Sequence, residues 1–213
     1  MTNTTSILWQ MNNRKHIRKR PNSGFTLIEL LVVTGIIIVV STLMLANNAR
    51  FGGAILLENL AYDVGLSVRK AQLYGIAVKR FGSGDFEAGY GIYFDLALPN
   101  TYVLFADAYP AGAGDGIYEA NQSELVESFT MLQGFHVVDL CATGSGLPEN
   151  CENINTIDIL FKRPNPDAFI SANGVSGITN PDALHERTRI ILESPRGDQV
   201  SIIVEATGQI AVQ

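Results

Sequence analysis

The sequence predicts an α+β fold in which one long N-terminal helix, apolar in its first half and amphipathic in its second, packs on a C-terminal antiparallel β domain. Three observations carry that prediction. Residues 25–46 form an apolar run long enough to cross a bilayer, since ~20 residues at 1.5 Å rise span ~30 Å. Apolar or small residues then recur at intervals of three and four from Leu57 to Val78. After FGSGDFEAG the pattern changes to short β-rich runs separated by Gly, Pro and Asn clusters. The expected organisation is a basic leader over 1–24, a transmembrane half-helix over 25–46, an amphipathic half-helix over 47–80 and a β domain over 81–213.

Charge supports a membrane orientation. The 213 residues carry a net charge of -6, yet residues 1–24 hold Arg14, Lys15, Arg18, Lys19 and Arg20 and no acid. The remainder is strongly acidic, so the chain is bipolar. A basic run before an apolar run follows the positive-inside pattern, which keeps the leader in the cytoplasm and sends the rest outward. A secretory signal peptide would have an apolar core of about 7–15 residues and a small-residue cleavage site on its far side; here the small residue, Gly24, lies on the near side. A plain signal anchor fits the hydropathy, but nothing in it calls for Glu29. A charge costs roughly 2.5–3.5 kcal/mol near the centre of a lone membrane helix and less near its end.

The stretch PNSGFTLIELLVVTGIIIVV resembles the class III leader junction of type IV pilins and type II secretion pseudopilins: glycine, a hydrophobic residue, then T-L-x-E-L. The resemblance implies that a membrane prepilin peptidase cuts between Gly24 and Phe25 and that the new amino group of Phe25 is N-methylated. It also implies assembly with other pilin or pseudopilin subunits. Cleavage creates a cation at Phe25, and a buried charge is tolerable when paired. In a helical stack Glu29 would neutralise the ammonium of the next Phe25, a state available only in the assembly.

Beyond the span, Leu57, Leu60, Val64, Val68, Ala71, Gly75 and Val78 make one stripe of an amphipathic helix, expected to be core beneath the following sheet. Asn47, Asn48, Gly52 and Gly53 are expected to bend or loosen its start, since Gly costs ~1 kcal/mol in a helix interior. The β runs are GYGIYFDL, TYVLFADA, SELVESFTML, FHVVDL, NTIDILFK, RTRIILES, QVSIIVEA and QIAV, the last three being successive strands with turns at Pro195 to Asp198 and at Thr207 and Gly208. Two stretches rich in turn formers, AYPAGAGDGIYEANQ and RPNPDAFISANGVSGITNPDALHE, are expected to be surface loops. The order of elements, ending in T-G-Q-I-A-V, resembles the GspH/FimT group of minor pseudopilins, which implies a helix followed by two small packed β-sheets. Where some members have arginines on the last turn and strand, this chain has Gln209 and Gln213, so DNA is not an expected partner.

Cys141 and Cys151 sit in a Gly/Pro/Asn-rich stretch that the topology places outside the cytoplasm, which favours a disulfide. With no histidine nearby, they are poor zinc ligands. His16 lies in the leader, His136 reads as a packed or edge histidine, and His185 falls in a polar loop beside Glu186. No nucleophile elbow accompanies them, so catalysis is not expected. Asp107, Asp115 and Glu119 offer oxygen ligands for calcium, but their spacing matches no calcium loop and a solvated acidic loop is the expectation. No cofactor and no metal are expected.

Three function classes remain. One is a structural subunit of a pilus or pseudopilus, made in the cytoplasmic membrane as a single-pass protein with its C-terminal domain outside. Another is an adhesin or DNA-uptake subunit, which calls for a basic, aromatic-bearing face. The third is a membrane-tethered hydrolase. A single long helix ending in a β domain favours the first.

Overall fold

The computed structural model describes residues 24–77, 79–82, 88–110 and 114–213. Its first element, α1 (Leu27–Ile76), has helical backbone through Asn47, Asn48, Gly52 and Gly53, where a loosening was expected. A cost of about 1 kcal/mol per glycine does not stop a helix that propagates from both sides. The chain nonetheless divides there into two compact units, Met1–Ala46 and Asn47–Gln213.

In the first unit, Leu27–Leu45 is a helical stretch long and apolar enough to cross a membrane, and none of it is buried within the protein. Its hydroxyls are satisfied locally: Thr34 Oγ1 donates to the carbonyls of Leu30 and Leu31 (3.0 Å each), and Thr42 Oγ1 to that of Ile38 (2.7 Å). Polar side chains bonded back to their own helix add little unsatisfied polarity to an apolar span.

The second unit lays the rest of α1 against an antiparallel sheet of nine strands. These are β1 (Gly89–Asp95), β2 (Thr101–Asp107), β3 (Leu125–Thr130), β4 (His136–Gly144), β5 (Thr156–Phe161), β6 (Ala168–Ala172), β7 (His185–Glu193), β8 (Gln199–Glu205) and β9 (Ile210–Val212). The order is β3-β2-β1-β5-β6-β7-β8-β9, with β4 paired to β7. The two small sheets that the resemblance implied are hydrogen-bonded into one, joined between β6 and β7 by the single pair Ile170 and His185. The reason is the length of β7, which pairs with β4 and β8 while its first residue still reaches β6. Strand β6 itself lies inside a stretch expected to be loop; its five residues, AFISA, are too few to show a period against the flanking turn formers.

One apolar core joins helix and sheet. Leu57, Ala61, Val64, Val68 and Ala71 of α1 are buried with Ile92, Phe94, Leu104, Leu140, Ile157, Ile159, Phe161, Ile170, Ile190, Leu192, Ile202 and Val204. Leu60 packs at its edge and Gly75 is buried; Val78, the last position of the expected stripe, lies outside the described residues. At Gly75 the helix backbone comes so close to β5 that a Cβ would sit 2.7 Å from the carbonyl carbon of Phe161. One turn earlier, the buried Gln72 donates through Nε2 to the carbonyls of Pro166 (2.9 Å) and Gly208 (3.0 Å). The turn before β9 is thereby tied to the helix, and its φ of +81° at Gly208 is a conformation that glycine supplies without strain.

The sheet has a second covered face. Strand residues alternate in direction, so Asp107, Tyr93, Phe105, Asp158 and Leu160 point away from α1. The segment Gly114–Ser123, expected to be a solvated surface loop, crosses that face instead. Its Tyr118 ring lies 5.1 Å from the ring of Tyr93 and 5.6 Å from that of Phe105. Disulfide-bonded Cys141 and Cys151 fasten the end of β4 to the segment that follows it, where Ala142 also bridges to Asn150.

Candidate functional site

The residues expected to be processed, Gly24 and Phe25, lie at the start of the chain's described part. Gly24 is exposed and a Cβ there would meet nothing within 4 Å, while Phe25 is 80% exposed. Thr26 then begins the helix: the Glu29 amide donates to Thr26 Oγ1 (3.2 Å), and the Leu30 amide to the Thr26 carbonyl (3.1 Å). T-L-I-E therefore has the form of a capping box, with Thr26 at the N-cap and Glu29 three residues on. Sequence reading assigned Glu29 to inter-subunit pairing alone. The spacing of a threonine and a glutamate before an apolar run was the available signal for this local role. A carboxylate in the first helical turn is also favoured by the helix dipole. The leader with its arginines, lysines and His16 lies outside the described residues.

The other candidate side chains are scattered. His136 opens β4, half-buried, with Nδ1 3.3 Å from the Gly134 carbonyl. His185 is the first residue of β7 rather than a loop residue; burial lowers its pKa, and its Nδ1 is buried without a hydrogen-bond partner. Asp139, Cys141 and Cys151 come within metal-ligand distance of one another, but both sulfurs are spent in the disulfide. Arg187 pairs with Glu205 (2.7 Å) and Arg189 with Glu149 (2.9 Å), beside Gln209 and Gln213 in a shallow recess of about 210 Å³.

The expected acidic loop is the largest departure. Asp107, Glu124 and Asp158 are buried, at 1%, 0% and 0% exposure. Asp107 Oδ1 accepts the Asp115 amide (3.0 Å), Asp158 Oδ1 that of Tyr118 (2.9 Å), and Glu124 those of Ala108 (3.0 Å), Tyr109 (2.8 Å) and Glu119 (2.9 Å). Burial, reinforced by neighbouring acids, raises Asp158 and Glu119 to about 8 and Asp107 to about 6. Missing from the sequence reading was Asp158, on β5 and far along the chain. An acid in the middle of the apolar run NTIDILFK was its only signal.

Residues 19–45 match the family described as Prokaryotic N-terminal methylation motif. Comparison with curated proteins finds no match, and neither does comparison with solved structures. The match and the bilayer-length helix that it covers support a membrane-anchored, type IV pilin-like processed subunit.

Proposed function

We propose that the chain is a minor pilin or pseudopilin, a structural subunit of a type IV pilus or a type II secretion pseudopilus. In this reading a prepilin peptidase removes residues 1–24 at the cytoplasmic face and Phe25 is N-methylated. The subunit then rests in the cytoplasmic membrane, with residues 47–213 outside, until it is drawn into a filament.

The observation that carries the reading is Glu29 in the first turn of a helix whose exposed apolar surface runs from Leu27 to Leu45. Alone in a membrane, that carboxylate is a cost with one local compensation, the helix terminus. In a stack it meets the ammonium of a neighbouring subunit's Phe25, and the cost becomes a reason to assemble. A second feature agrees. On the part of α1 in the globular unit, Ile55, Tyr62, Leu66, Leu73 and Ile76 are exposed and share one helix face, opposite the buried stripe. Such a face suits neighbouring subunits, which would cover it in a filament core.

Glu29→Gln and Glu29→Leu separate the two roles of the acid. Glutamine retains a capping-box residue and loses the charge; leucine loses both. Breaking a buried ion pair by removing one member costs on the order of 3–5 kcal/mol, and 1.4 kcal/mol is tenfold in an equilibrium, so both variants should fall at least about a hundredfold in sheared filaments. Both should accumulate as processed monomer in the membrane. Full incorporation of processed Glu29→Gln would show that the charge does not drive assembly. A DNA-uptake role would draw on Arg187 and Arg189, and each is already engaged by a carboxylate.

A further inference from the structure

Segment Gly114–Ser123 is held to the sheet by acids that lie close to one another. Asp107 on β2, Asp158 on β5 and Glu124 just before β3 accept its amides and those of Ala108 and Tyr109. Ser176 Oγ, from the loop after β6, closes over it onto the Asp115 carbonyl. A Cβ at Gly114 (φ +60°) would sit 2.6 Å from Cγ of Asp107, so the chain lies directly on that carboxyl.

Glu124 spends both oxygens on these amides, whereas Asp107 and Asp158 each use one and leave the other without a partner. Asp107 Oδ2, Asp158 Oδ2 and Glu119 Oε2 are buried and unpaired. The groups acting on them are Asp107, Asp115, Glu119, Glu124 and Asp158, with Tyr93, Tyr118 and Asp95 beside them. The chain has no lysine or arginine from residue 81 to 161. Glu119 lies beside Glu124, whose Oε2 accepts the Glu119 amide, and that neighbouring acid disfavours a charge on Glu119. Since Glu124 already accepts three amides, the proton belongs on Glu119.

We propose that Gly114–Ser123 is a proton-latched strap: protons on Asp158 and Glu119 keep it on the second face of the sheet, and their loss in alkaline surroundings releases it. Burial chiefly, and the neighbouring acids after it, raise both groups to about 8. An acid whose folded pKa is raised favours the closed form fully below its unfolded pKa, and that contribution is lost as pH rises through the folded pKa. The strap is therefore closed at neutral and acidic pH. Above about 8 the ionised acids repel one another, and opening bares the apolar side of Phe105 and Leu160. The device is independent of the assembly reading.

Hydrogen exchange of the full chain in detergent with a chelator tests it, with rates corrected for intrinsic exchange. From about pH 7 to about pH 9 the amides of Asp115, Tyr118 and Glu119 should lose at least about tenfold more protection than those of β7, since each group shifts opening by up to tenfold per pH unit until the pH passes its closed-state pKa, here about 8. In Asp158→Asn with Glu119→Gln, protection at the higher pH should stay within about twofold of its neutral value. Should that pair fail to fold, Glu119→Gln alone, at a half-exposed position, should move the opening midpoint upward. Equal protection of the wild type at both pH values would overturn the latch, as would unchanged opening in every variant that folds. Closure of the wild type by millimolar calcium at the higher pH would also overturn it, because the unpaired oxygens would then be cation ligands.

Discussion

Gly75 and Gly65 lie on the same helix, and replacing each by alanine should change stability in opposite directions. A Cβ at Gly75 would sit 2.7 Å from the Phe161 carbonyl carbon and 3.0 Å from its Cβ, and closer still to the carbonyl oxygen. Carbon atoms pack at about 3.5–4.0 Å, so the helix must lift from β5 by about 1 Å. Two of the obstructing atoms are backbone, which has no rotamer to change. Lifting would pull Val68 and Ala71 out of the core and stretch the two hydrogen bonds of Gln72. Overpacking typically costs about 1–3 kcal/mol, and a backbone obstruction belongs at the upper end; better helix propensity returns at most ~1 kcal/mol. The net loss of about 2 kcal/mol corresponds to a Tm lower by roughly 4–8 °C for a unit of this size. At Gly65 the new Cβ would meet Val212 Cγ2 at 3.6 Å and Ile210 Cγ2 at 3.9 Å, which is ordinary contact. There the propensity gain stands alone, and Tm should rise by up to about 4 °C. Thermal unfolding of both variants in detergent, followed by circular dichroism, measures the difference. A Gly75→Ala protein as stable as wild type would refute the close approach of α1 to β5.

Three further outcomes are expected. If the peptidase needs a residue without a side chain at Gly24, Gly24→Val should retain the leader, and a mass spectrum showing a chain that begins at Phe25 would contradict this. Asp158, raised to about 8, contributes stability that is complete below about pH 4 and lost as pH rises through about 8. The unfolding free energy should therefore fall by up to ~1.4 kcal/mol per pH unit across that window, and Asp158→Asn should flatten the fall; an unchanged slope in denaturant titrations would show that Asp158 does not carry it. Finally, the chain should bind duplex DNA only weakly at physiological salt, because phosphate affinity depends on available lysines and arginines and Arg187 and Arg189 are paired. Sub-micromolar, salt-sensitive gel shifts abolished by Arg187→Ala with Arg189→Ala would reverse that conclusion.

What could be read from the sequence was local. The class III junction, the bilayer-length run and the buried stripe from Leu57 to Gly75 depend on neighbours in the chain or on one helical period, and both are written linearly. The three strands β7, β8 and β9 were legible for the same reason, with short turns between alternating runs. The second apolar face of α1, through Tyr62 and Leu66, was hidden because a helix apolar on two opposite sides has little net amphipathic signal. The acidic segment was misread as solvated. Asp107, Glu124 and Asp158 look like ordinary polar residues until the sheet sets β3, β2, β1 and β5 in succession and a loop closes over them. Whether a carboxylate is solvated or must hold a proton depends on what surrounds it in space. That surrounding comes from strand pairings distant in sequence, which only the tertiary structure decides.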